Sequence, residues 1–413
     1  MTAGPRVSRA TSRILSMLRR DRQKLPRDIK VMLAAAFLIA LGFGLVAPVL
    51  PQFATTFGVG NTEASVIVAI FAFMRLVFAP AGGALIGRLG ERPVYVSGLL
   101  IVSASTAACA FAQDYWQLLL FRGLGGAGSV MFTVASMALV VRLAPPESRG
   151  RVSGAYASAF LVGNVCGPIV GGLLAGFGLR VPFLAYAAAL VVAAVVVQTQ
   201  LSHQRQGSGP RQDRAPDMPL AEALGERAYR TALLSSFVNG WATFGVRMAT
   251  VPLFAVAALG SGPEAAGFAL AVFAAGNAAA LTFSGRLADT LGRRPMMIAG
   301  LLVAGAATAA IGFTPGLGWF LAASALAGVG SGLFGPAQQA AVADVIGSGR
   351  SGGKVLAVYQ MTSDVGAIVG PVLAGVLADQ LGYGWAFGVT GGIMVVAAAS
   401  WLTTRETLRT VKS

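Results

Sequence analysis

The chain has 413 residues, 55% of them hydrophobic and only 11% charged, with a formal net charge of +15. Soluble globular chains carry about 25% charged residues, so this composition excludes a soluble fold. A nucleic-acid reading of the excess positive charge needs basic residues clustered on one soluble face, whereas here they are scattered between long apolar runs.

In chain order, residues 1–30 are Arg-rich and lack the short apolar core of a signal peptide, so they read as a basic cytoplasmic tail that is not cleaved. From Val31 to Leu402 the apolar runs recur, each close to the ~20 residues that a helix needs to cross the hydrocarbon core. They predict spans at 31–53, 64–87, 93–113, 115–143, 152–178, 181–200, 231–258, 265–285, 295–314, 318–346, 354–379 and 384–404. Segments on one side of these spans hold 27 of the 31 Lys and Arg, with only Arg180 in a loop on the other side. Positive charge marks the cytoplasmic side, so both termini are expected there, with anionic lipid as a minor partner. The polar stretch 201–230 divides six spans (31–200) from six more (231–404) and reads as a cytoplasmic linker, while 405–413 form a second tail. His203 lies in that linker and is expected to be solvated. Cys109 and Cys166 both fall in apolar spans, which argues against a disulfide framework or a metal site.

The two sets of spans resemble each other. Gly83 and Pro93 return 202 residues later as Gly285 and Pro295, and Leu124, Gly126, Gly128, Ser129 and Phe132 return at the same offset as Leu326, Gly328, Gly330, Ser331 and Phe334. Gly167-Pro168 returns as Gly370-Pro371, offset by 203. Six spans separate the copies, so both halves have the same orientation, the parallel repeat of transporters whose halves rock about a midplane site. The expected fold is an all-α membrane protein, twelve transmembrane helices in two pseudo-symmetric six-helix bundles.

Several motifs carry physical meaning. Gly163, Gly167 and Gly171 share one face of the fifth span at a spacing of four, which lets another helix approach closely; Pro168 beside them removes a backbone donor. Generic small-residue packing is the alternative. The stretch Gly163 to Gly172, with Gly172 completing it, resembles the fifth-helix GxxxGPxxGG motif of major facilitator drug:proton antiporters, seldom found in symporters of that superfamily. Gly42 with Pro48-Val49-Leu50-Pro51 is similar to the first-helix LGxxxxxPVxP motif of the twelve-helix drug-antiporter subgroup. Gly285, Asp289, Gly292, Arg293 and Arg294 match the superfamily's hallmark cytoplasmic loop. The resemblance implies that Asp289 pairs with loop arginines and with a helix N-terminus of the opposite half, holding the cytoplasmic side closed, with Arg149 and Arg151 as candidate partners. The first-half copy keeps Gly83, Arg88, Gly90 and Arg92, but Gly87 stands where the aspartate belongs. Glu91 either substitutes from the next turn or is an ordinary loop acid paired with Arg88 or Arg92.

Ionisable residues within spans are costly, about 2.5–3.5 kcal/mol each at a helix centre, and tend to be functional. Arg122 matches the family's fourth-helix motif, whose arginine is implicated in proton coupling, and its repeat counterpart is Ser324. Arg75 and Arg247 lie too deep to snorkel easily and are expected to face a cavity. Asp364 is the carboxylate placed nearest the midplane; it either carries the proton or neutralises a buried arginine. Three arginines against one aspartate leave the cavity net positive, favouring neutral, zwitterionic or anionic compounds. Hydrogen bonds are expected from Asn164, Asn239, Asn277, Gln338, Gln339 and Gln360, and apolar walls from Phe71, Phe73, Trp241, Phe244, Phe334 and Tyr359.

No GxxxxGK[ST] loop is present, so the proton gradient, and no cofactor, is expected to supply the work. The resulting expectation is a monomeric cell-membrane exporter of a small, largely apolar compound in exchange for protons. Proton-coupled uptake of a sugar or organic acid, and a non-transporting receptor or membrane-embedded enzyme on the same scaffold, are the alternatives. Against an enzyme, the spans hold no His, Cys and carboxylate constellation.

Overall fold

A computed structural model describes residues 26–143, 149–201, 218–347, 350 and 352–408 of the chain. Among these residues there are helices and no strands, and twelve helices are long and apolar enough to cross a membrane. The first span is Arg27–Val46 continued by Leu50–Thr55, and the second to sixth are Asn61–Leu89, Glu91–Ala110, Tyr115–Leu143, Arg149–Ala175 and Val181–Gln200. The seventh comprises Arg227–Asn239, a π-helical Gly240–Val246 and Arg247–Ala257. The eighth to twelfth are Pro263–Leu291, Arg293–Ile311, Leu317–Ile346, Gly353–Leu381 and Tyr383–Leu402. Most of the basic tail, residues 202–217 of the linker with His203, and residues 409–413 lie outside the described residues. The described part of the linker carries a short helix, Leu220–Gly225.

Local sequence explains the punctuation. Pro48 has no backbone N–H, so the first helix pauses at Ala47 to Val49 and resumes at Leu50, with Pro51 in its first turn where a missing donor costs little. Gly90 and Gly292 take φ of 84° and 104°, which L side chains disfavour, and each ends one span and starts the next as a one-residue connector.

The repeat is visible in the packing. Spans 1 and 5, 2 and 4, and 3 and 6 pack together in the first half, as do 7 and 11, 8 and 10, and 9 and 12 in the second. Each half buries its own apolar core, one around Tyr95, Leu118 and Phe183, the other around Met297, Phe334 and Trp401. The halves meet along spans 2 and 11 and spans 5 and 8.

That meeting is one-sided. Span directions put both termini at one end of the bundle, here the near end. Contacts between the halves gather at the far end, where Gly267 abuts the Pro168 carbonyl and Gly172, and Gly375 abuts Asn61 and Thr62. At the near end a side chain added at Gly87, Gly285 or Gly353 would meet nothing among the described residues, and Leu89 and Leu291 are exposed. Among the described residues the far end is closed and the near end is open.

Candidate functional site

Beneath the closed end, a cavity of about 110 Å³ lies between the halves. Phe43, Leu50, Phe71, Arg75 and Arg122 line it from the first half, Met248, Gln360, Asp364 and Ala367 from the second. Arg75 and Asp364 sit near the midpoints of their long helices, and Arg122 two turns into its own, all at hydrocarbon depth. Arg75 donates to the Ser129 hydroxyl at 3.5 Å. The Arg122 guanidinium carbon lies 4.2 Å from the centre of the Phe71 ring, a cation–π contact, and its Nε has no partner among the described residues. Asp364 accepts a hydrogen bond from Gln360 and lies within the field of Arg75. Two cations and one anion therefore share a small, low-dielectric space, where adding or removing one charge has a large effect.

Three of the four ionisable residues singled out within the spans thus line one cavity. Arg247 does not, which corrects the expectation that it faces the cavity. It is buried inside the second half, with its guanidinium carbon 3.0 Å from the centre of the Phe273 ring, and Nη1 has no partner among the described residues. The π-helix explains the turn. Trp241 approaches Gly370 as Leu41 approaches Gly167, an offset of 200, whereas Gly245 meets Pro371 as Gly44 meets Pro168, an offset of 201. The wider i→i+5 turn absorbs one extra residue and rotates the helix beyond it, which begins at Arg247. Phe273 is the repeat counterpart of Phe71, so both halves stack a buried arginine on an equivalent phenylalanine, from different helices.

Of the proposed walls and hydrogen-bonding groups, Phe71 and Gln360 line the cavity. Trp241 instead donates to Thr390 at 3.1 Å, Gln338 donates to the Ala232 carbonyl at 3.4 Å, Phe334 belongs to the second-half core, and Phe73 is exposed. The Phe244 side chain lies outside the described residues.

The fifth-span glycines divide between two partners. A Cβ on Gly163 would lie 2.7 Å from the Ala40 Cβ, and Cβ atoms on Gly167 and Gly171 would collide with the Leu41 and Leu45 carbonyls, so this face holds the first span. Gly172 points the other way, to Glu264 and Gly267 of the eighth span, across the halves. Gly42 lies against the Tyr186 ring, leaving no space for a side chain.

At the near end Asp289, 69% exposed, pairs with Arg293 of its own half, and Arg293 reaches Asp344 at 3.3 Å. The backbone N–H groups of Arg293 and Arg294 donate to Glu406, at 2.9 and 3.1 Å, and Arg294 Nη2 donates to the Leu402 carbonyl at 2.7 Å. Partial burial opposes charge on Glu406, but the donated N–H groups of Leu408, Arg293, Arg294 and Thr407 prevail and hold its carboxyl below the usual range. In the first-half loop, Arg92 donates to the Gln198 carbonyl and Arg88 is exposed. The surroundings of Gly83 and the side chains of Arg149 and Arg151 lie outside the described residues.

Sequence reasoning missed one polar cluster, at the far end. Asp379 accepts hydrogen bonds from Asn61 N (3.1 Å), Asn61 Nδ2 (2.8 Å), Thr62 N (2.8 Å) and Thr62 Oγ1 (2.6 Å), and Tyr383 donates to Asn61 Oδ1 at 2.8 Å.

Two bundles of parallel orientation, closed at one end around a charged midplane cavity and open at the other, define a polytopic membrane transporter rather than an enzyme. The sequence matches the Major Facilitator Superfamily over residues 32–254 and 232–413, and the chain belongs to that family. It is similar to quinolone resistance protein NorA of Staphylococcus aureus, 30% identical over 182 residues that cover 44% of this chain and 47% of NorA, about half the length of that relative. Multidrug resistance protein 2 of Bacillus subtilis is 26% identical over 91% of this chain and 94% of its own. The fold is shared with a bacterial homolog of the human lysosomal transporter Spinster in an inward-facing conformation, with a TM-score of 0.79 at 19% identity over 92% of this chain and 97% of that one.

Proposed function

We propose that this chain exports a small, largely apolar compound, neutral, zwitterionic or anionic, in exchange for protons. It works by alternating access in the cell membrane, as a monomer with both termini cytoplasmic and no cofactor. In that orientation the open near end faces the cytoplasm, and the conformation described is the inward-facing one. The observation that carries the reading is the meeting of Arg75, Arg122 and Asp364 in one cavity, with the acid from one half and the arginines from the other. Protonation of Asp364 frees an arginine for the substrate, and substrate binding in turn favours release of the proton. Each charge moved gains about 2.3 kcal/mol per 100 mV. The fifth-span motif and the similarity to two proteins named for drug resistance support export over uptake. Inside-out vesicles with a preformed proton gradient test this against a compound panel. An exported compound dissipates the gradient; a substrate that moves in the same direction as the proton would establish symport instead.

A further inference from the structure

The octapeptide that ends the eighth span, Gly285-Arg-Leu287-Ala288-Asp289-Thr-Leu291-Gly292, recurs at the end of the eleventh as Gly375-Val-Leu377-Ala378-Asp379-Gln-Leu381-Gly382. The two copies lie at opposite ends of the bundle. In each, the aspartate occupies the last turn of its helix, and the closing glycine takes a positive φ, 104° or 87°, before the next helix begins. A carboxylate in a last turn faces the negative end of its own helix dipole and needs partners from elsewhere.

The copies differ four residues beyond the aspartate. There Asp289 finds Arg293, an ion pair within its own half. Asp379 finds Tyr383, whose hydroxyl goes to Asn61 of the other half. All four hydrogen bonds that Asp379 accepts among the described residues come from Asn61 and Thr62, the first turn of the second span. The carboxylate therefore sits at the positive end of a helix it does not belong to, beside Glu63, which caps the same turn from within by accepting the Gly60 N–H at 3.1 Å. Gly375 brings the helices close enough, since a Cβ there would lie 2.8 Å from the Thr62 Cα. The first-half counterpart of this crossing, Gly172 on the eighth span, carries Gly176 at the place of Asp379 and, among the described residues, closes by packing alone.

We propose that Asp379 is the latch of the far gate. Its hydrogen bonds exist only while that end is closed. On opening it is left at the negative end of its own helix, whereas Asp289 keeps Arg293 when its end is open. The latch therefore biases the resting chain toward the state with the far end shut. The inference rests on alternating access and on neither the direction of transport nor proton coupling, so it is tested on the gate itself.

Double electron–electron resonance on the full chain, with Cys109 and Cys166 replaced by alanine, reads both ends. Spin labels at Gln113→Cys with Gly318→Cys, both exposed, report the far end, and labels at Leu89→Cys with Leu291→Cys the near end. Asp379→Ala is expected to raise the far-open to far-closed ratio about tenfold or more, as loss of charge-assisted hydrogen bonds implies, while the near-end distance shortens. Thr62→Val and Tyr383→Phe, each removing one bond, are expected to shift the distances the same way by less. Unchanged distances in an Asp379→Ala protein that elutes and melts like the parent would overturn the proposal. If Asp379→Ala does not fold, unchanged distances in both milder variants overturn it equally.

Discussion

Gly172→Ala is expected to shift the conformational equilibrium without weakening either half. The added Cβ would lie 3.0 Å from the Glu264 Cα and 3.3 Å from both the Gly267 Cα and the Pro263 carbonyl oxygen. Carbon pairs prefer about 3.5–4.0 Å, so the eighth span must retreat by several tenths of an ångström. Overpacking of this kind costs about 1–3 kcal/mol. Because the crossing joins the two halves, the strain falls on the far-closed state alone, which corresponds to a shift of about 5- to 150-fold toward the far-open state. Gly163→Ala is the control. Its Cβ would lie 2.7 Å from the Ala40 Cβ and 2.8 Å from the Phe37 carbonyl oxygen, but both belong to the same half and stay together in either state. It should lower the melting temperature and leave the equilibrium where it was. The assay is distance measurement between far-end labels, with melting followed in parallel. Equal shifts in both variants, or none in Gly172→Ala, would refute the reasoning that these neighbouring glycines serve a gate and a bundle separately.

Asp364→Asn should abolish proton-driven export while substrate-dependent thermal stabilisation persists; undiminished proton-coupled flux would remove Asp364 from the mechanism. Gly87→Asp supplies the missing first-half acid at a site where a side chain meets nothing among the described residues, and it should enrich the near-closed state in the same distance measurements. Glu406→Gln tests the C-terminal clamp on the ninth span. A carboxyl held below its unfolded value stabilises the fold at pH above that value and loses the contribution as pH falls through its depressed folded value. The melting temperatures of parent and variant should therefore differ at neutral pH and converge under acid; a gap that persists in acid would exclude ionisation as its source.

The spans and the repeat were legible because both leave long-range marks in the sequence: runs near the length of the hydrocarbon core, and glycines and prolines returning at a nearly fixed offset. Arg75, Arg122 and Asp364 could be singled out because charge inside an apolar run is costly wherever it points. Where such a charge points is another matter. Arg247 also lies well inside its span, yet one extra residue accommodated by the π-helix at Gly240–Val246 turns it onto Phe273 and away from the cavity. The extra residue shows in the helix contacts, as the step in offset from 200 to 201 between the first and seventh spans. Asp379 escaped notice for a different reason. At the end of a span, next to water, an acid costs little, so depth raises no alarm; the signal lay in an octapeptide it shares with the hallmark loop, at the opposite end of the bundle.

The repeated fold has divided its charges between the halves. Arg75 and Arg122 line the cavity from the first half, and the acid that answers them, Asp364, comes from the second. The two last-turn aspartates, Asp289 and Asp379, also belong to the second half, and their first-half counterparts are Gly87 and Gly176. A symmetric pair of halves would place like charges opposite one another at the midplane and duplicate each latch. Here attraction at the cavity runs between halves, so neutralising Asp364 changes how the halves hold each other. Under the proposed exchange, a proton arriving at Asp364 weakens an attraction across the same interface on which the halves rock, while the proposed latch at Asp379 keeps the far end shut until the balance shifts. Coupling of this kind needs no wire between distant sites, only one interface whose two arrangements the bound proton and the bound compound weight differently.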